Sequence, residues 1–590
     1  MYFDINRNVG EHIPIFNTRE IEKVVYNSPN GKAAGLDGVV YEDIKKAWFQ
    51  DSGGICKIFN NVLINKRIPA EWKVALIQRI PKKNFNREDL TTMRDISLTL
   101  TLYKIFSKCL CERILPYITK EIAFWQRAYM DKRDRQELIF NLMTEIDDFL
   151  HISTKIYIAF VDFEDAFGSV SHEFIFGTLE HFSIPYTYCV LIEDLYKYSS
   201  FKVICDGCLS SMFYIAKGTK TGDPLSAFIF VMVIDRIFKP MVNVALINKN
   251  LEEEKLLNPL PVQGYADDVA IVTYSEVLMQ NMIEVAEPIM KDSGLKVKIS
   301  KCGLFYERRS GNNWYKGKGD RRPVIKIQNQ TIPVLKRNET YLYLGKLLNI
   351  NGQADKQVSE MVEIFKILTE KVKHCMLPLS LKISAMNNMA LAKVLHHFCN
   401  TRIEENILND IDNHVTKIVR ELYGMYNTTT RDVIYIPRLK GGIGVKKFSA
   451  VYRCCRVAFI LKMLNHQEEC FKNITRKSLH LDMKKRGVKE TDNINNFLGY
   501  EVTDKYYLKN NTNYGCSTNW LELTRYSRKL NIKIKWCHGK ACVFTENGKQ
   551  YDEVNLNQKL YEETVSDICR HSSTLKLQGS FLNMFRVDPK

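Results

Sequence analysis

Two stretches of the chain combine the apolar pattern of a buried β-strand with carboxylates at one end. Residues 156–161 are apolar, rich in β-branched and aromatic side chains, and are followed directly by Asp162. In the second stretch, Asp267 and Asp268 interrupt an apolar segment that continues through residues 269–272. This pattern predicts two short buried strands joined by a tight turn that carries both carboxylates at its tip.

Three carboxylates at strand ends favour a metal-dependent chemistry, although an exposed Asp-Asp turn is a common alternative for the hairpin alone. Burying two like charges side by side costs free energy, which a proton or a cation can offset. Mg²⁺ prefers oxygen ligands and keeps coordination sites for phosphates. Asp162, Asp267 and Asp268 can therefore converge on two ions and serve phosphoryl or nucleotidyl transfer.

Helices are predicted in other parts of the chain. Stretches of helical character cover residues 98–118, 136–149 and 355–423, and a glycine cluster at residues 441–444 precedes a further helix over residues 450–464. From residue 466 onward the chain is more polar. The pattern therefore predicts a mixed α and β chain whose later part is mainly helical.

The carboxylate stretches lie within a series of motifs that together resemble the reverse transcriptases of non-LTR (LINE-type) retrotransposons. YADD (265–268) matches that family's catalytic hairpin, and KGTKTGDPLSAFIF (217–230) is similar to its glycine-containing loop and following helix. Further matches, in the family's order, are GKAAGLDGV (31–39), WKVALIQRIPKKN (72–84), MRDISLTLTLYKIFSKCLCERI (93–114), GLKVKISKC (294–302), YLYLG (341–345) and IPRLKGGIGV (436–445). The resemblance covers roughly residues 20–465, and so many motifs in order make it specific.

The resemblance implies an α+β fold of the right-hand polymerase type, with fingers, a palm built on an antiparallel sheet, and a helical thumb. The implied divisions are residues 1–150 for the fingers, 151–350 for the palm, 351–430 for the thumb, and 431–590 for a post-thumb and C-terminal extension without an assigned role.

The resemblance also implies a set of site residues. Asp162, Asp267 and Asp268 match the catalytic, metal-binding carboxylates, and strand alternation makes the first two the expected principal ligands. Phe167 matches the residue that packs under the incoming sugar and excludes a 2′-hydroxyl, with plain core packing as the alternative. The remaining matches are Lys82 (or Lys83) and Arg94 for the triphosphate, Lys301 for protonating pyrophosphate, and Gly222 and Ser226 for the template-side loop. A solvated surface charge is the alternative for Lys82 and Arg94.

The chain also departs from the family pattern near these residues. The departures are Thr221 where Gln is usual, Ala227 where Pro is usual, Asp95 where Pro is usual, Gly168 where Asp is common, and Lys298 where Asn is frequent. Asp95 places a negative charge next to Arg94 in the sequence, which is expected to weaken the hold of Arg94 on phosphate.

Composition agrees with a large intracellular protein that binds polyanions. The chain has 590 residues, 45% of them hydrophobic, and a net charge of +17 that favours contact with phosphates, although solubility or an anionic membrane surface would also account for it. Its 16 cysteines show no regular spacing, the N-terminus lacks the apolar core of a secretory signal, and the apolar run at residues 225–234 is too short to span a bilayer. We therefore expect localisation in the nucleus and cytoplasm and no membrane partner.

The sequence gives little support to other kinds of site. No P-loop motif is present, and zinc-knuckle spacing is lacking among the donors Cys537, His538, Cys542, Cys569 and His571. The basic run at residues 523–536 is compatible with nucleic-acid contact or with a solvated face.

We therefore predict an RNA-directed DNA polymerase that extends a primer 3′-hydroxyl with dNTPs, using two Mg²⁺ ions for which Mn²⁺ can substitute. Its expected partners are an RNA template, a DNA primer and target DNA. Two alternatives stay open: a catalytically silent or domesticated RNA-binding protein derived from such an element, and an intron-maturase-like polymerase. Because no endonuclease pattern is recognisable, we expect primer extension without nicking of duplex DNA.

Overall fold

The computed structural model describes most of the chain. The described residues are 13–81, 93–152, 155–205, 207–248, 260–310, 313–314, 322–350, 352–353, 355–485, 498, 519–537, 539–545 and 550–551. The chain forms two compact units. The first comprises Met1–Arg135, Lys155–Arg308 and Tyr315–Leu335, and the second comprises Gln136–Thr154, Arg309–Trp314 and Lys336–Lys590.

The helices and strands are numbered here in chain order. The helices are α1 (Thr18–Asn27), α2 (Tyr41–Asn65), α3 (Thr101–Glu121), α4 (Arg135–Ile152), α5 (Ala166–Ser169), α6 (His172–His181), α7 (Tyr186–Tyr196), α8 (Pro224–Asn248), α9 (Glu276–Ser293), α10 (Asp355–His374), α11 (Leu379–Ala385), α12 (Leu391–Leu395), α13 (Glu405–Tyr423), α14 (Asp432–Tyr435), α15 (Phe448–Leu464), α16 (Glu469–Lys485) and α17 (Asn519–Lys529). The strands are β1 (Val74–Pro81), β2 (Met93–Leu98), β3 (Lys155–Val161), β4 (Ser200–Cys205), β5 (Cys208–Leu209), β6 (Phe213–Tyr214), β7 (Val262–Tyr265), β8 (Asp268–Thr273), β9 (Gly303–Ser310), β10 (Asn313–Trp314), β11 (Lys326–Ile327), β12 (Gln330–Thr331), β13 (Tyr341–Tyr343), β14 (Lys346–Asn349), β15 (Gly352–Gln353), β16 (Ile532–Cys537), β17 (Lys540–Thr545) and β18 (Gln550–Tyr551).

The core of the first unit is an antiparallel sheet, the central sheet, in which β7, β8, β3 and β9 lie side by side. From Ile156 to the end of β3 every residue is at most 3% exposed, because this apolar strand is covered on both faces. Its pairing places Val161 opposite Val269 of β8, and Phe160 opposite Gly303 of β9. The carboxylates that follow β3 and begin β8 therefore reach the same end of the sheet.

Helices α8 and α9 lie against the central sheet. They pack along each other, and α8 also contacts β7 while α9 contacts β8. In α8, the residues from Phe230 to Ile234 are at most 1% exposed, as expected for a helix that is apolar around its circumference. This apolar run is thus a core helix. Among the described residues, no helix is both long enough and apolar enough to cross a membrane.

A second sheet in this unit has the strand order β2, β1, β4, β5, with β6 also pairing with β4. β1 runs antiparallel to β2 and parallel to β4. Just before β1, Trp72 joins an aromatic cluster with Phe16, Phe59 and Phe106, whose ring centroids lie 5.4–6.5 Å apart. This cluster ties α2 and α3 to the start of the sheet.

The second unit is mainly helical, as predicted for residues 355–423, which contain α10 to α13. The helix predicted over residues 450–464 is confirmed as α15. Strand β14 contributes Lys346, which is 3% exposed and donates to Thr401 Oγ1 at 2.8 Å. Helix α4 lies in this second unit from Gln136 onward.

The basic run at residues 523–536 has a packing role that the sequence did not indicate. It forms much of α17 and β16, and α17 packs on α15, where the buried Arg456 donates to the Glu522 carboxylate. On β16, Lys533 and Lys535 are exposed while the isoleucines alternating with them are buried. The run is therefore amphipathic rather than a solvated face along its whole length.

Candidate active site

The carboxylates singled out in the sequence lie at one end of the central sheet. Asp162 directly follows β3, Asp267 lies in the two-residue turn between β7 and β8, and Asp268 begins β8. The other turn residue, Ala266, has a φ of 56°, a left-handed conformation that is strained for a residue with a Cβ. The predicted strand and hairpin are confirmed. We call residues 266–267 the acidic turn, and Asp162, Asp267 and Asp268 the carboxylate cluster.

The carboxylate cluster carries more negative charge than its surroundings offset. Burial raises the pKa of Asp267, and the nearby Asp162 raises it further, while Lys301 and Arg94 lower it. Burial raises the pKa of Asp268 to about 6, and the charges of Asp267 and Asp162 act in the same direction. Asp267 and Asp268 thus experience repulsion from the other carboxylates, which a bound cation would relieve.

The raised pKa of Asp268 predicts that neutralising this residue stabilises the fold. The ionised form of Asp268 is disfavoured in the folded protein, and this lowers the free energy of unfolding. The loss of stability is complete above about pH 6. It disappears as the pH falls below about 4, because the carboxyl is then protonated in both the folded and the unfolded protein. In metal-free buffer at pH 7, Asp268→Asn is expected to raise the free energy of unfolding by about 1–3 kcal/mol. Urea denaturation at pH 7 and pH 3.5 measures this difference. A variant less stable than wild type at pH 7 would contradict the raised pKa.

Lys301 lies beside the cluster. Its Nζ donates to both Oδ atoms of Asp162, each at 3.1 Å. The chain just before it is held against β3, because Lys298 N donates to Asp162 O at 2.8 Å before the 3-10 turn Ile299–Lys301. The lysine side chain is 57% exposed and that of Asp162 18%, so solvent screens the pair and weakens it.

The carboxylate cluster fits divalent cations in its chemistry. Its donors are oxygens only, and burial together with neighbouring carboxylates raises the pKa values of Asp267 and Asp268, a cost that a bound cation would offset. Within the part of the chain that the structure describes, no three His, Cys, Asp or Glu side chains are gathered around a single point, and Asp162 is paired with Lys301. The metal-ligand roles of the three aspartates therefore stay a prediction.

Arg94 lies close enough to the carboxylate cluster for its charge to lower the pKa of Asp267. It is exposed on β2, and its neighbour Asp95 points to the opposite face of that strand. Asp95 pairs instead with Arg79 of β1, whose Nε lies 3.2 Å from Asp95 Oδ1. The ion-pair partner of Asp95 is thus Arg79 on the neighbouring strand, and the expected effect of Asp95 on phosphate binding by Arg94 stays a prediction. Two further candidates lie outside the described residues, Lys82 and Lys83.

Phe167 is half-buried in α5, and its ring stacks on Phe230 of α8 with the centroids 4.3 Å apart and the planes at 24°. Its backbone oxygen accepts from Thr219 N at 2.7 Å, which ties α5 to the glycine-containing loop. The ring therefore packs on the core through one face and stays partly accessible. Core packing and sugar selection, the two roles predicted for it, are compatible with each other in this arrangement.

Gly168, where an Asp is common in the family, is tightly surrounded. A Cβ at this position would lie 2.2 Å from Oδ2 of Asp165. A Cβ on Gly218, in the glycine-containing loop, would in turn lie 2.5 Å from the backbone oxygen of Gly168. Glycine at position 168, in place of the family's Asp, thus occurs where the backbones of α5 and of the glycine-containing loop approach each other closely.

The glycine-containing loop approaches β2 through its backbone. Thr221 O accepts from Ser97 N at 2.8 Å. Gly222 has a φ of 101°, which only glycine adopts readily, and a Cβ there would lie 3.2 Å from Ser97 O. Ser226, predicted to contact substrate, is 1% exposed at the start of α8. Its side chain therefore packs in the core, and the substrate-binding role of Ser226 stays a prediction.

A buried polar network next to this loop was missed by the sequence analysis. Asp223 is 3% exposed and accepts from Tyr103 Oη at 2.6 Å and from Ser107 Oγ at 2.7 Å. Lys220 is fully buried, donates to Lys73 O at 2.7 Å, and has its pKa lowered by burial to about 8. The network fastens the loop to α3. Its signal in the sequence was a lysine and an aspartate at the edge of a long apolar run.

Residues 124–130 also border the acidic turn, and no motif in the sequence pointed to them. Gln126 Oε1 accepts from Ala266 N at 3.1 Å, across 140 residues of sequence. Tyr129, 50% exposed with a φ of 58°, is close enough to Asp267 that this carboxylate, together with burial, raises the pKa of the phenol.

The site lies within a region that matches a known family. Residues 80–346 match the family described as reverse transcriptase (RNA-dependent DNA polymerase). The chain is 22% identical over 384 residues to the retrovirus-related Pol polyprotein from type-1 retrotransposable element R2 of Popillia japonica, an alignment covering 65% of this chain and 52% of that protein. It is 22% identical over 368 residues to the RNA-directed DNA polymerase from mobile element jockey of Drosophila melanogaster, covering 61% and 38%.

Solved structures add a weaker likeness. A telomerase from Candida albicans in complex with a fragment of telomeric RNA aligns with 72% of this chain and 68% of its own, at 12% identity and a TM-score of only 0.31. The chain spans about half, or less, of the length of these curated relatives. The family match, together with the antiparallel central sheet, confirms the predicted α+β right-hand polymerase fold.

Proposed function

Because residues 80–346 form a reverse transcriptase domain similar to those of non-LTR retrotransposons, we propose that the chain is an RNA-directed DNA polymerase. It extends the 3′-hydroxyl of a DNA primer with dNTPs on an RNA template. The main support for this proposal is the carboxylate cluster. Asp267 and Asp268 at the hairpin tip lie close enough to Asp162, at the end of the adjacent strand, for its charge to raise their pKa values.

The carboxylate cluster would hold the divalent cations that reverse transcriptases generally use, as two Mg²⁺ ions or as Mn²⁺ in their place. When bound, such ions supply Lewis-acid activation of the primer hydroxyl and stabilise the charge of the departing pyrophosphate. The protein's own contribution is to fix the three carboxylates on rigid strand ends, so that little reorganisation is needed at the moment of reaction.

Lys301 and Arg94 supply positive charge on the substrate side of the proposed reaction. Both lower the pKa of Asp267, so both lie within electrostatic reach of the cluster. Arg94 is exposed and offers a planar fork that suits the oxygens of a triphosphate. Lys301 carries its proton beside Asp162 and would transfer it to the pyrophosphate as that group departs.

Extension of an oligo-dT primer on poly-rA tests the proposed function. Wild-type protein with Mg²⁺ and dTTP is expected to lengthen the primer, whereas Asp267→Asn should bind the primed template but leave it unextended. A wild-type protein that binds the primed template without extending it would support the silent RNA-binding alternative. Extension by Asp267→Asn at the wild-type rate would place the chemistry away from the carboxylate cluster.

The net charge of +17 leads to a prediction about binding to RNA and DNA. Each phosphate neutralised by Lys or Arg releases counterions, so affinity for a primed RNA template should fall about tenfold for every two phosphate contacts as salt rises from 50 to 200 mM. Fluorescence anisotropy with a labelled RNA–DNA duplex measures this slope. A dissociation constant that barely responds to salt would mean that the positive charge mainly serves solubility.

A further inference from the structure

The segment between α3 and α4 runs alongside β7 and pairs with it. Arg127 N donates to Gly264 O at 3.0 Å, and Gly264 N donates to Trp125 O at the same distance. This main-chain pairing is an isolated parallel β-bridge between Gln126 and Gly264, next to the hairpin that carries the acidic turn. The approach is close, because a Cβ on Gly264 would lie 3.3 Å from Gln126 Nε2.

The side chain of Gln126 reaches from this segment into the acidic turn. It is fully buried, and its Oε1 accepts two backbone N–H groups, from Ala266 at 3.1 Å and from Ala128 at 3.0 Å. Because both neighbours are N–H donors, only the oxygen of the amide can face them. A single acceptor thus links the acidic turn to the segment that leads to the exposed Tyr129.

The hydrogen bond from Ala266 N to Gln126 Oε1 holds a residue with an unfavourable backbone conformation. Ala266 has a left-handed φ of 56° and directly precedes Asp267, so its orientation sets the direction of that carboxylate. A strained residue persists only when its surroundings hold it. Among the described residues, the hydrogen-bond acceptor for the N–H of Ala266 is the buried side-chain oxygen of Gln126.

We propose that Gln126 is a positioning residue for nucleotidyl transfer, which fixes the acidic turn so that Asp267 points into the site. The inference rests on the proposed function for its consequence in catalysis, but the fixing of the turn is a property of the fold alone. Loss of the acceptor should therefore affect the rate of the chemical step more than the binding of dNTP.

Three variants separate positioning from packing. Gln126→Met keeps the length of the side chain and loses the acceptor, whereas Gln126→Glu keeps an oxygen acceptor in either protonation state. Gln263→Met is the matched control: Gln263 is also fully buried, lies on the same hairpin, and its side-chain amide has no hydrogen-bond partner among the described residues.

Primer extension under single-turnover conditions gives the first readout. Gln126→Met is expected to lower the maximal rate of nucleotide incorporation about 10- to 100-fold, as misplacement of a reacting group by about 1 Å does, with the apparent Kd for dNTP within about threefold of wild type. Gln126→Glu should recover a large part of that loss, and Gln263→Met should stay near wild type. Equal losses in both methionine variants, or no recovery with Glu, would overturn the proposal.

Hydrogen–deuterium exchange of the acidic turn gives a second readout that does not depend on activity. The peptide spanning residues 262–273 should exchange faster in Gln126→Met than in wild type. Its exchange rate in Gln263→Met should equal that of wild type. Unchanged exchange in Gln126→Met would refute the proposal even if the enzyme were active. If the wild-type protein did not extend primers but Gln126→Met still exchanged faster than wild type, the fixing of the turn would be supported. Only the proposed function would then be contradicted.

Discussion

Replacing Asp267 with alanine is expected to reduce dNTP incorporation about a thousandfold or more, because losing a metal-binding carboxylate costs at least ~4 kcal/mol of transition-state stabilisation. Asp162→Ala should have the same effect and Asp268→Ala a slightly smaller one. The prediction depends on the position of these side chains at adjoining strand ends. Among the described carboxylates, it is the members of the cluster that raise the pKa values of Asp267 and Asp268. Single-nucleotide incorporation at saturating dNTP measures the loss.

A control within the same loop distinguishes lost chemistry from lost structure. Glu164 is an exposed carboxylate two residues after Asp162, and its replacement by alanine should leave the rate within about twofold of wild type. The Asp267→Ala protein should also unfold at a temperature no lower than wild type in metal-free buffer, because removing Asp267 relieves like-charge repulsion. Near-normal incorporation by folded Asp267→Ala would remove the carboxylate cluster from the mechanism.

Replacing Phe167 with valine is expected to raise the use of rNTPs relative to dNTPs about 10- to 100-fold, if the accessible part of its ring fills the space of a 2′-hydroxyl. The stack on Phe230 fixes the plane of the ring, and the smaller side chain would leave that space open. Chemistry with dNTPs should survive, since Phe167 supplies none of the carboxylates of the cluster. The ratio of kcat/KM values for rTTP and dTTP measures the change.

A buried phenylalanine elsewhere in the central sheet is the matched control. Phe305 on β9 is 1% exposed and packs edge to face on Phe160, with centroids 5.4 Å apart. Phe305→Leu should lower stability without altering the rNTP/dNTP ratio. An unchanged ratio in a folded, active Phe167→Val protein would leave core packing as the role of Phe167.

The elements that carry the carboxylates were predictable because their signals are local. An apolar run ending at Asp162, and apolar residues on both sides of Asp267 and Asp268, specify a strand and a hairpin through their length and their β-branched and aromatic content. The pairing of the two was implied by the resemblance to a family, since sequence pattern gives no register between strands about a hundred residues apart.

Features that depend on long-range register could not be predicted from the pattern. The separation of Asp95 from Arg94 follows from strand alternation, but its neutralisation by Arg79 requires the pairing of β1 with β2. The contact of Gln126 with Ala266 joins residues 140 positions apart, and a lone glutamine in an aromatic segment carries no spacing signal. The burial of Ser226 was also not evident, because its motif did not show which side of the first turn of α8 faces the core.

Primer extension on an RNA of mixed sequence tests most directly whether the protein copies RNA into DNA at the carboxylate cluster. We predict that wild-type protein with Mg²⁺ and four dNTPs yields DNA complementary to the RNA, that omitting one dNTP stops synthesis at the position that requires it, and that Asp267→Ala yields no product. Template-independent addition, or equal product from Asp267→Ala, would contradict the account.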